Sequence, residues 1–475
     1  MLTLLIAWPL LAAALLMAPG LPDRLARGLF LAAALVEVGL AAATWATYDS
    51  PAAGALAHEV DLPWIPMVDA GYHVGVDGLS LPLVLMTVVV VAACAVHALA
   101  EQHRPARLAA LVLALEGVTI GVFVAADLLL FFVFFDLSLV ATYLLILGWG
   151  HGPRERVARS AFRFFLYTFL GSLAMLLGFA ALYAASSPHT FDMVELTADP
   201  PFQGRGALGA AGLGAVLLGF AIKTPTWPFH TWLPPAHTDA STVGSVMLAA
   251  VLLKTGTYGF VRIAMPMFPE AWRAWAPVLL AVAIISVLWG ALVALAQTDL
   301  KRMVAYTSVN HMGYVLLGLA AAGFLAAGAG LDAADAEQAR SVAVTGAVVL
   351  MVSHGLLTGA LFLLAGALWD RRPGSPEGAV EAGVEAGPYD LQAYGGLARL
   401  APRFAVLLSI AAFGSFNACP RSPCCSFCIA MLAHTVAQNT QTAAPPAQST
   451  KAKLTAGANV LLQLHTCGCQ SERSM

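Results

Sequence analysis

The sequence predicts an all-α polytopic membrane protein, and three features of its composition and patterning support that fold class. Of the 475 residues, 59% are hydrophobic and 11% are charged. Soluble domains carry about 25% charged residues, so this chain has too few charges to cover a globule of its size. Apolar runs of membrane-spanning length recur along the chain, and basic and acidic loops alternate between them.

Twelve apolar segments have about the length that a membrane helix requires. They lie near residues 3–19, 28–47, 80–100, 108–125, 127–149, 162–185, 207–223, 241–263, 276–297, 303–328, 341–369 and 399–418. The opening stretch, MLTLLIAWPLLAAALLMAPG, has no basic residue before its apolar core. We therefore expect a first membrane helix there rather than a signal peptide.

The charges of the loops predict the orientation of the chain in the membrane. The loops at 101–107 and 150–161 are rich in arginine, whereas those at 48–79 and 186–206 are mainly acidic. Under the positive-inside rule this pattern places the N-terminus outside. The loop at 264–275 is nearly neutral and is the weak point of the alternation. The net charge of −3 indicates no nucleic-acid partner.

From Ser415 onward the sequence changes character. It becomes rich in Thr, Gln, Ala, Pro, Ser and Cys, and it contains no membrane-spanning run. This composition is typical of a disordered tail or of out-of-frame translation. Six of the seven cysteines lie here, but CPRSPCCSFC has no common zinc-ligand spacing.

Ionisable side chains lie inside several predicted helices. A charge at the bilayer centre costs about 2.5–3.5 kcal/mol, so such residues mark a functional site by default. A buried lysine tends to lose its proton unless a carboxylate is close, so a Lys–Asp pair whose separation changes acts as a proton switch. The candidate site residues are Glu116, Asp136, Lys223, Lys254, His311 and His354.

Other polar residues of the apolar segments receive a structural interpretation. Glu37 in the second segment is expected to be a structural or interface residue. His230 and His237 flank a Pro-Pro pair without a third ligand nearby, so no metal site is expected.

Lys223 ends an apolar run and opens the stretch KTPTWPFHTWLPPAH. Pro225 and Pro228 cannot donate backbone hydrogen bonds and predict a helix break between Lys223 and Pro228. Irregular backbone at membrane depth is tolerated only where protein or a watery cavity meets it, and broken helices mark ion sites in transporters. In the alternative interpretation, Lys223 ends the helix at the inner interface, where a cation suits the helix dipole.

Three long motifs carry a resemblance to a known family. KTPTWPFHTWLPPAHTDASTVGSVMLAAVLLKTGTYGFVRI, QTDLKRMVAYTSVNHMGYVLLG and VSHGLLTGALFLLAG closely resemble the antiporter-like membrane subunits of bacterial respiratory complex I, the NADH:quinone oxidoreductase. The resemblance runs from about Val60 to about Phe413, and the order of the helices and the stretch GYHVGVDGLSLPLVLMT favour the M type. The motifs discriminate less well against the N and L types and against subunits of multisubunit cation/proton antiporters.

The resemblance implies roles for the candidate residues. Lys223 matches the broken-helix lysine of the pumping site, and Asp136 stands where the family has a glutamate that pairs with it. Asp136 is shorter by one methylene, which lengthens that ion pair. Lys254 matches the lysine that passes the proton along the chain. The remaining matches are His311 and His354 on the central axis and Glu116 in the fourth helix.

The resemblance also implies a function and partners. The chain would be a proton-translocating membrane-arm subunit of a bacterial inner-membrane complex, in contact with other membrane-arm subunits, protons and the lipid bilayer. It would hold no cofactor itself: NAD, FMN, iron–sulfur clusters and quinone would belong to partner subunits. The sequence has no GxGxxG motif, and its cysteines do not follow an iron–sulfur pattern.

The resemblance fails at the C-terminal end. The family has about fourteen helices in two inverted repeats, whereas here the twelfth segment degenerates after Ser415. The predicted organisation is therefore an N-terminal unit (1–107), a first repeat (108–263), an incomplete second repeat (276–414) and an aberrant tail (415–475). A truncated, non-pumping paralogue stays open as an alternative.

Overall fold

The protein is almost entirely helical, as the apolar runs predict. A computed structural model describes residues 1–49, 54–324, 333–370, 389, 391 and 397–417. Each of the twelve predicted segments coincides with a helix, and nine helices of these described residues are long and apolar enough to cross a membrane. The fold class is thereby confirmed. The predicted tail lies outside the described residues from position 418 onward.

The first half of the chain contains eight helices. They are α1 (Leu2–Leu16), α2 (Asp23–Ala46), α3 (Ser80–His97), α4 (Pro105–Val124), α5 (Leu128–Trp149), α6 (Arg154–Ala185), α7 (Met193–Ala198) and α8 (Gly206–Lys223). Local signals fix several of their starts. Pro105 opens α4, where its missing amide hydrogen has no helical acceptor to lose. The carboxylate of Asp127 caps α5 by accepting the amides of Leu129 and Leu130.

The second half of the chain begins with a short helix, and wider turns interrupt the longer helix that follows it twice. The helices described in this half are α9 (Leu233–Asp239), α10 (Thr242–Met247), α11 (Leu253–Gly259), α12 (Met265–Met267), α13 (Pro269–Leu295), α14 (Leu300–Phe324), α15 (Ala333–Asp370), α16 (Leu397–Leu400) and α17 (Pro402–Asn417). Two π-helical turns, Leu248–Leu252 and Phe260–Ala264, join α10, α11 and α12 into one continuous rod. Single π-turns inside α-helices are frequent at functional sites.

Three helices begin seven or more residues before the predicted start. The sixth helix begins at Arg154 rather than near residue 162, α13 at Pro269 rather than near 276, and α15 at Ala333 rather than near 341. In all three places the first turns carry charged side chains that the apolar pattern excludes. A helix can extend past the apolar layer because its backbone hydrogen bonds are internal, so polarity alone does not end it.

A β-hairpin occupies part of the predicted acidic loop at 48–79. Strands β1 (Ala57–Ile65) and β2 (Ala70–Val76) pair antiparallel, with Asp61 opposite His73. The hairpin docks on the start of α5, because the amide of Ala126 donates to the carbonyl of His73 at 2.9 Å. The amide of Gly71 donates to the Asp127 carboxylate at 3.2 Å. We call residues 57–76, together with 125–128 and 190–193, the hairpin cap.

Packing places the rod from Thr242 to Met267 at the centre of the described helices. It is the most enclosed of the nine membrane-length helices. Helix α4 packs against α1, α2 and α5, α8 packs against α6, and α14 lies between α13 and α15. Because α15 also reaches α3 and α10, it closes the bundle over the rod.

Candidate functional site

The helix break after Lys223 is present and is closed by the chain's own groups. Helix α8 ends at Lys223, and irregular backbone follows until α9. The amide of Thr226 donates to the carbonyl of Ala221 at 3.0 Å. The indole Nε1 of Trp232 donates to the carbonyl of Ile222 at 2.9 Å. Carbonyls that lose their helical partners at the break are thus satisfied inside the membrane protein, as the absence of water requires.

Lys223 points into the protein and is held by α5. Its side chain is 2% exposed. The ammonium Nζ donates to Ser138 Oγ at 3.3 Å and lies 4.6 Å from the ring centroid of Phe135. This burial favours the broken-helix interpretation over an interface lysine that extends into solvent.

Asp136 lies near Lys223 without forming a close ion pair. The two side chains interact electrostatically, but they are not among the ion pairs within 4.0 Å that the described residues form. The hydroxyl of Ser172, which donates to the carbonyl of Phe169 at 3.0 Å, lies beside Asp136. The ammonium group therefore contacts Ser138, two residues along α5, while the shorter aspartate stays at longer range.

Lys254 forms the centre of a second cluster. Its side chain is 0% exposed. The side-chain Nζ donates to the carbonyl of Ala249, inside the first π-turn, at 2.5 Å, and it is hydrogen-bonded to Nδ1 of His354 at 2.6 Å. The ring of His311 stands edge-on to that of His354, with centroids 5.2 Å apart. Helices α11, α14 and α15 thus bring Lys254, His354 and His311 together.

The polar groups of this cluster are only partly hydrogen-bonded. Nε2 of His354 and Nδ1 of His311 are buried and have no hydrogen-bond partner among the described residues. An ammonium group bonded to a neutral imidazole has a proton donor and an acceptor in contact. Adjacent acceptor positions then let a proton move on through the line, as Lys and His chains do inside membrane proteins.

His237 and Lys301 extend this line, although the sequence analysis gave neither a role in it. His237 is fully buried, stacks on Phe362 with centroids 4.7 Å apart, and interacts electrostatically with both Lys254 and Lys301. Lys301 is fully buried, and its Nζ donates to the carbonyl of Ala240 at 2.7 Å. The position of His237 at the end of the proline-rich stretch could have predicted its place in the buried line, but the sequence suggested only metal binding as a role for it. Across the described ranges, no three His, Cys, Asp or Glu side chains are grouped to hold a metal ion.

Glu116 lies apart from both lysines. It is fully buried on α4, and its electrostatic neighbours are Glu37 on α2 and Cys94 on α3. The six candidate residues therefore fall into three places: Lys223 with Asp136, Lys254 with the two histidines, and Glu116 by itself.

A polytopic bundle with a broken helix and a buried line of lysine and histidine defines a class of membrane proteins that move protons or cations. The family model described as NADH:quinone oxidoreductase/Mrp antiporter, transmembrane, matches residues 125–443. The chain belongs to this family. The match extends past Ser415, where the composition changes.

Individual relatives agree with the family. The chain is 37% identical to subunit M of the NADH-quinone oxidoreductase of Rhodobacter capsulatus, over 81% of this chain and 70% of the relative. It is 39% identical to a chain 4 of the NAD(P)H-quinone oxidoreductase of Thermosynechococcus vestitus, over 78% and 65%. The chain thus spans about two thirds of the length of these relatives.

A solved structure has the same fold. A chain of respiratory complex I from Thermus thermophilus with bound NADH superposes with a TM-score of 0.73 at 28% identity. The superposition covers 98% of this chain and 94% of that one.

Proposed function

We propose that this chain is an M-type, antiporter-like subunit of the membrane arm of an NADH:quinone oxidoreductase and that it translocates protons. The observation that carries the proposal is the buried contact between Lys254 and His354, with His311 beside it. A positive charge this deeply enclosed is costly to maintain, and the default interpretation of such a residue is function. The similarity to complex I subunits supports the proposal that this chain assembles with redox subunits.

The two clusters carry out different parts of the translocation. Lys254 exchanges its proton with His354, which the 2.6 Å contact permits, and His311 and His237 continue the line. Lys223 holds its proton while Ser138, the Phe135 ring and Asp136 support the ammonium charge. A change in the distance to Asp136 changes that support, so the proton is retained in one arrangement and released in the other.

The energy for this movement comes from partner subunits. Moving one elementary charge against 100 mV costs about 2.3 kcal/mol. In the proposal NAD, FMN, the iron–sulfur clusters and quinone belong to those partners, and this chain contains no redox centre. The similarity to subunits of a respiratory complex supports a bacterial inner-membrane location, and the arginine-rich loops support an N-terminus outside.

The division of the chain is part of the same proposal. Residues 1–107 form an N-terminal unit, 108–263 the first repeat and 276–414 an incomplete second repeat. The end of the continuous rod at Met267, just before α13, supports a boundary between the two repeats near residue 263.

The test replaces Lys223 by alanine in the complete complex, reconstituted in vesicles. We expect Lys223→Ala to remove most of the NADH-driven ΔpH, because the broken helix then carries no exchangeable proton. Arg163→Ala is the matched control: Arg163 is an exposed cation on α6, and its loss leaves pumping unchanged. A proton-to-electron ratio that stays the same in Lys223→Ala would overturn the site assignment.

The family description also covers Mrp antiporters, which gives a second candidate function. A subunit of a cation/proton antiporter forms ΔpH in response to a Na⁺ gradient and does not respond to NADH. Measuring both driving forces on the wild-type complex separates the two functions. A wild-type chain that forms no ΔpH with either would favour the non-pumping paralogue.

A further inference from the structure

Two buried carboxylates lie outside the lysine line. Glu37 on α2 and Glu116 on α4 are each 0% exposed. None of their four carboxylate oxygens has a hydrogen-bond partner among the described residues. Helices α2 and α4 pack against each other, and the two side chains interact electrostatically. The sequence interpretation of Glu37 as a structural residue does not account for this, because a structural carboxylate normally accepts hydrogen bonds.

The two side chains lie at similar depth. At 1.5 Å per residue, Glu37 is about 21 Å and Glu116 about 17 Å from the first residue of its helix. Since α3 crosses the membrane between α2 and α4, these two helices run in the same direction. Both carboxylates are therefore near the middle of the apolar layer, which is about 30 Å thick.

Helix α1 closes the pair from one side with apolar side chains and backbone. At Gly117, next to Glu116, an added Cβ would lie 2.8 Å from the carbonyl oxygen of Ile6. Pro9 inside α1 has no amide hydrogen, so the carbonyl of Leu5 loses its helical donor. The sequence of α1 contains no ionisable side chain. Helix α1 therefore offers no cation that could stabilise an ionised carboxylate.

The other neighbouring helices offer no compensating cation. Helix α3 contributes the Cys94 thiol, which interacts electrostatically with Glu116. Asp136 on α5 interacts with Lys223 and the Ser172 hydroxyl. Lys254 on α11 donates to other groups, as described above.

Two unpaired carboxylates in an apolar interior cannot both be ionised. Moving an isolated ionised carboxylate into low dielectric is so costly that the group takes up a proton instead. A second carboxylate within electrostatic range adds like-charge repulsion and makes loss of the last proton harder still. We propose that Glu37 and Glu116 form a proton-binding carboxyl pair inside the membrane, separate from the lysine–histidine line. The ligand of this site is a proton, bound by one carboxyl group while the other raises the cost of releasing it.

The test measures protonation directly, in the complete complex. A hydrophobic carbodiimide reacts with protonated, membrane-embedded carboxyl groups, and peptide mass spectrometry locates the product. In the wild type we expect labelling of the pair at neutral pH. In Glu37→Gln the like charge is gone, so the midpoint pH of Glu116 labelling falls by about one unit or more.

Two further variants keep the result interpretable. Glu37→Asp retains the second carboxyl group and keeps the midpoint near the wild-type value. Glu195→Gln removes an exposed carboxylate on α7 and leaves the profile unchanged. If the Glu37 variants do not assemble, the infrared carbonyl band of a protonated carboxylic acid in the wild type provides the same information, since carbodiimide removes it.

The proposal is overturned if Glu116 is unlabelled at neutral pH, or if its midpoint is the same with Glu or Gln at position 37. Neither outcome depends on pumping. The pair can therefore fail while the assignment of Lys223 stands, and the reverse also holds.

Discussion

The hairpin cap and the Lys254 cluster both contain buried histidine, but they hydrogen-bond it to different extents. In the cap, both ring nitrogens of His73 are used: Nε2 contacts Glu59 at 2.7 Å, and Nδ1 contacts Asp192. In the Lys254 cluster, His354 has a partner on Nδ1 alone, and Nε2 has none among the described residues. A fully bonded polar network stabilises one arrangement, whereas a partly bonded one leaves positions that a moving proton can occupy.

The charge state of the cap follows from its geometry. Burial lowers the pKa of His73, but the hydrogen bond and charge of Asp192, with contributions from Glu59 and Asp61, outweigh burial and raise the pKa to about 9. Burial raises the pKa of Asp192, but the hydrogen bond from His73 and the amides of α7 bring it below its usual value. At neutral pH the cap is therefore a charged ion network.

The largest effect is expected where the comparison is most direct, at Lys254. Lys254→Met removes the proton carrier and keeps an unbranched side chain of similar length. We expect proton translocation to fall by at least ~10-fold, since proton transfer by a positioned group contributes about 10²–10⁴ in rate. The stability of the complex is not expected to fall, because a buried charge is replaced by an apolar group. Vesicle ΔpH measurements and thermal unfolding of the same preparation report the two quantities.

Lys254→Arg is the control for this prediction. Arginine retains the charge but cannot release a proton, so translocation is lost here as well. Full translocation in Lys254→Arg would contradict proton exchange at this residue, whatever the methionine variant does.

The second-largest effect is expected in the hairpin cap, where stability rather than proton translocation changes. His73→Gln removes the charged partner of Glu59 and Asp192, and hydrogen bonds to charged groups contribute about 1.5–3 kcal/mol each. We expect the hairpin to open more readily while protons moved per electron stay unchanged. Hydrogen exchange at the amides of Gly71 and Ala126, which bond to Asp127 and to the His73 carbonyl, measures this opening.

The same amides report a pH dependence. The pKa of His73 is raised in the folded state, so its stabilising contribution is fully present below about pH 6.5 and is lost as pH rises through about 9. Protection of these two amides, corrected for intrinsic exchange, should fall over that interval in the wild type. A wild-type profile that stays flat, or the same fall in His73→Gln, would contradict the charged cap.

The smallest effect is expected at Asp136. Asp136→Glu adds one methylene and brings the carboxylate closer to Lys223. The ammonium group is then held more firmly, and we expect the translocation rate to change by about threefold or less, equivalent to ~0.7 kcal/mol. Protons moved per electron should not change. An abolished ΔpH in this conservative variant would show that the longer separation is itself required.

The helices of this protein could be predicted from the sequence because apolar length alone specifies a membrane segment. The break at Lys223 could be predicted too, since proline chemistry is local. The π-turns around Lys254 could not, because they shift the helix by one residue within an unbroken apolar run. The hairpin could not be predicted from the acidic charge of that loop, because strands are indicated by the alternation of apolar and polar residues.

The site was predictable in its residue types but not in its grouping. Lys254 and His354 are 100 residues apart, and only the packing of α11 against α15 brings them into contact. Glu37 received a structural interpretation because its neighbour Glu116 lies on another helix. The sequence around Glu37 does not show that these two helices pack together. Ser138, which contacts Lys223, carries no charge and therefore gave no signal.

The closed break at Lys223 has a consequence for biosynthesis. The groups that satisfy Ala221 and Ile222 come from Thr226 and Trp232, which leave the ribosome after α8. The amide of Trp227 in turn donates to Ser286 on α13, 59 residues further along the chain. The end of α8 is therefore completed only after residue 232 has been translated, and the loop that completes it is tied down only once α13 has followed.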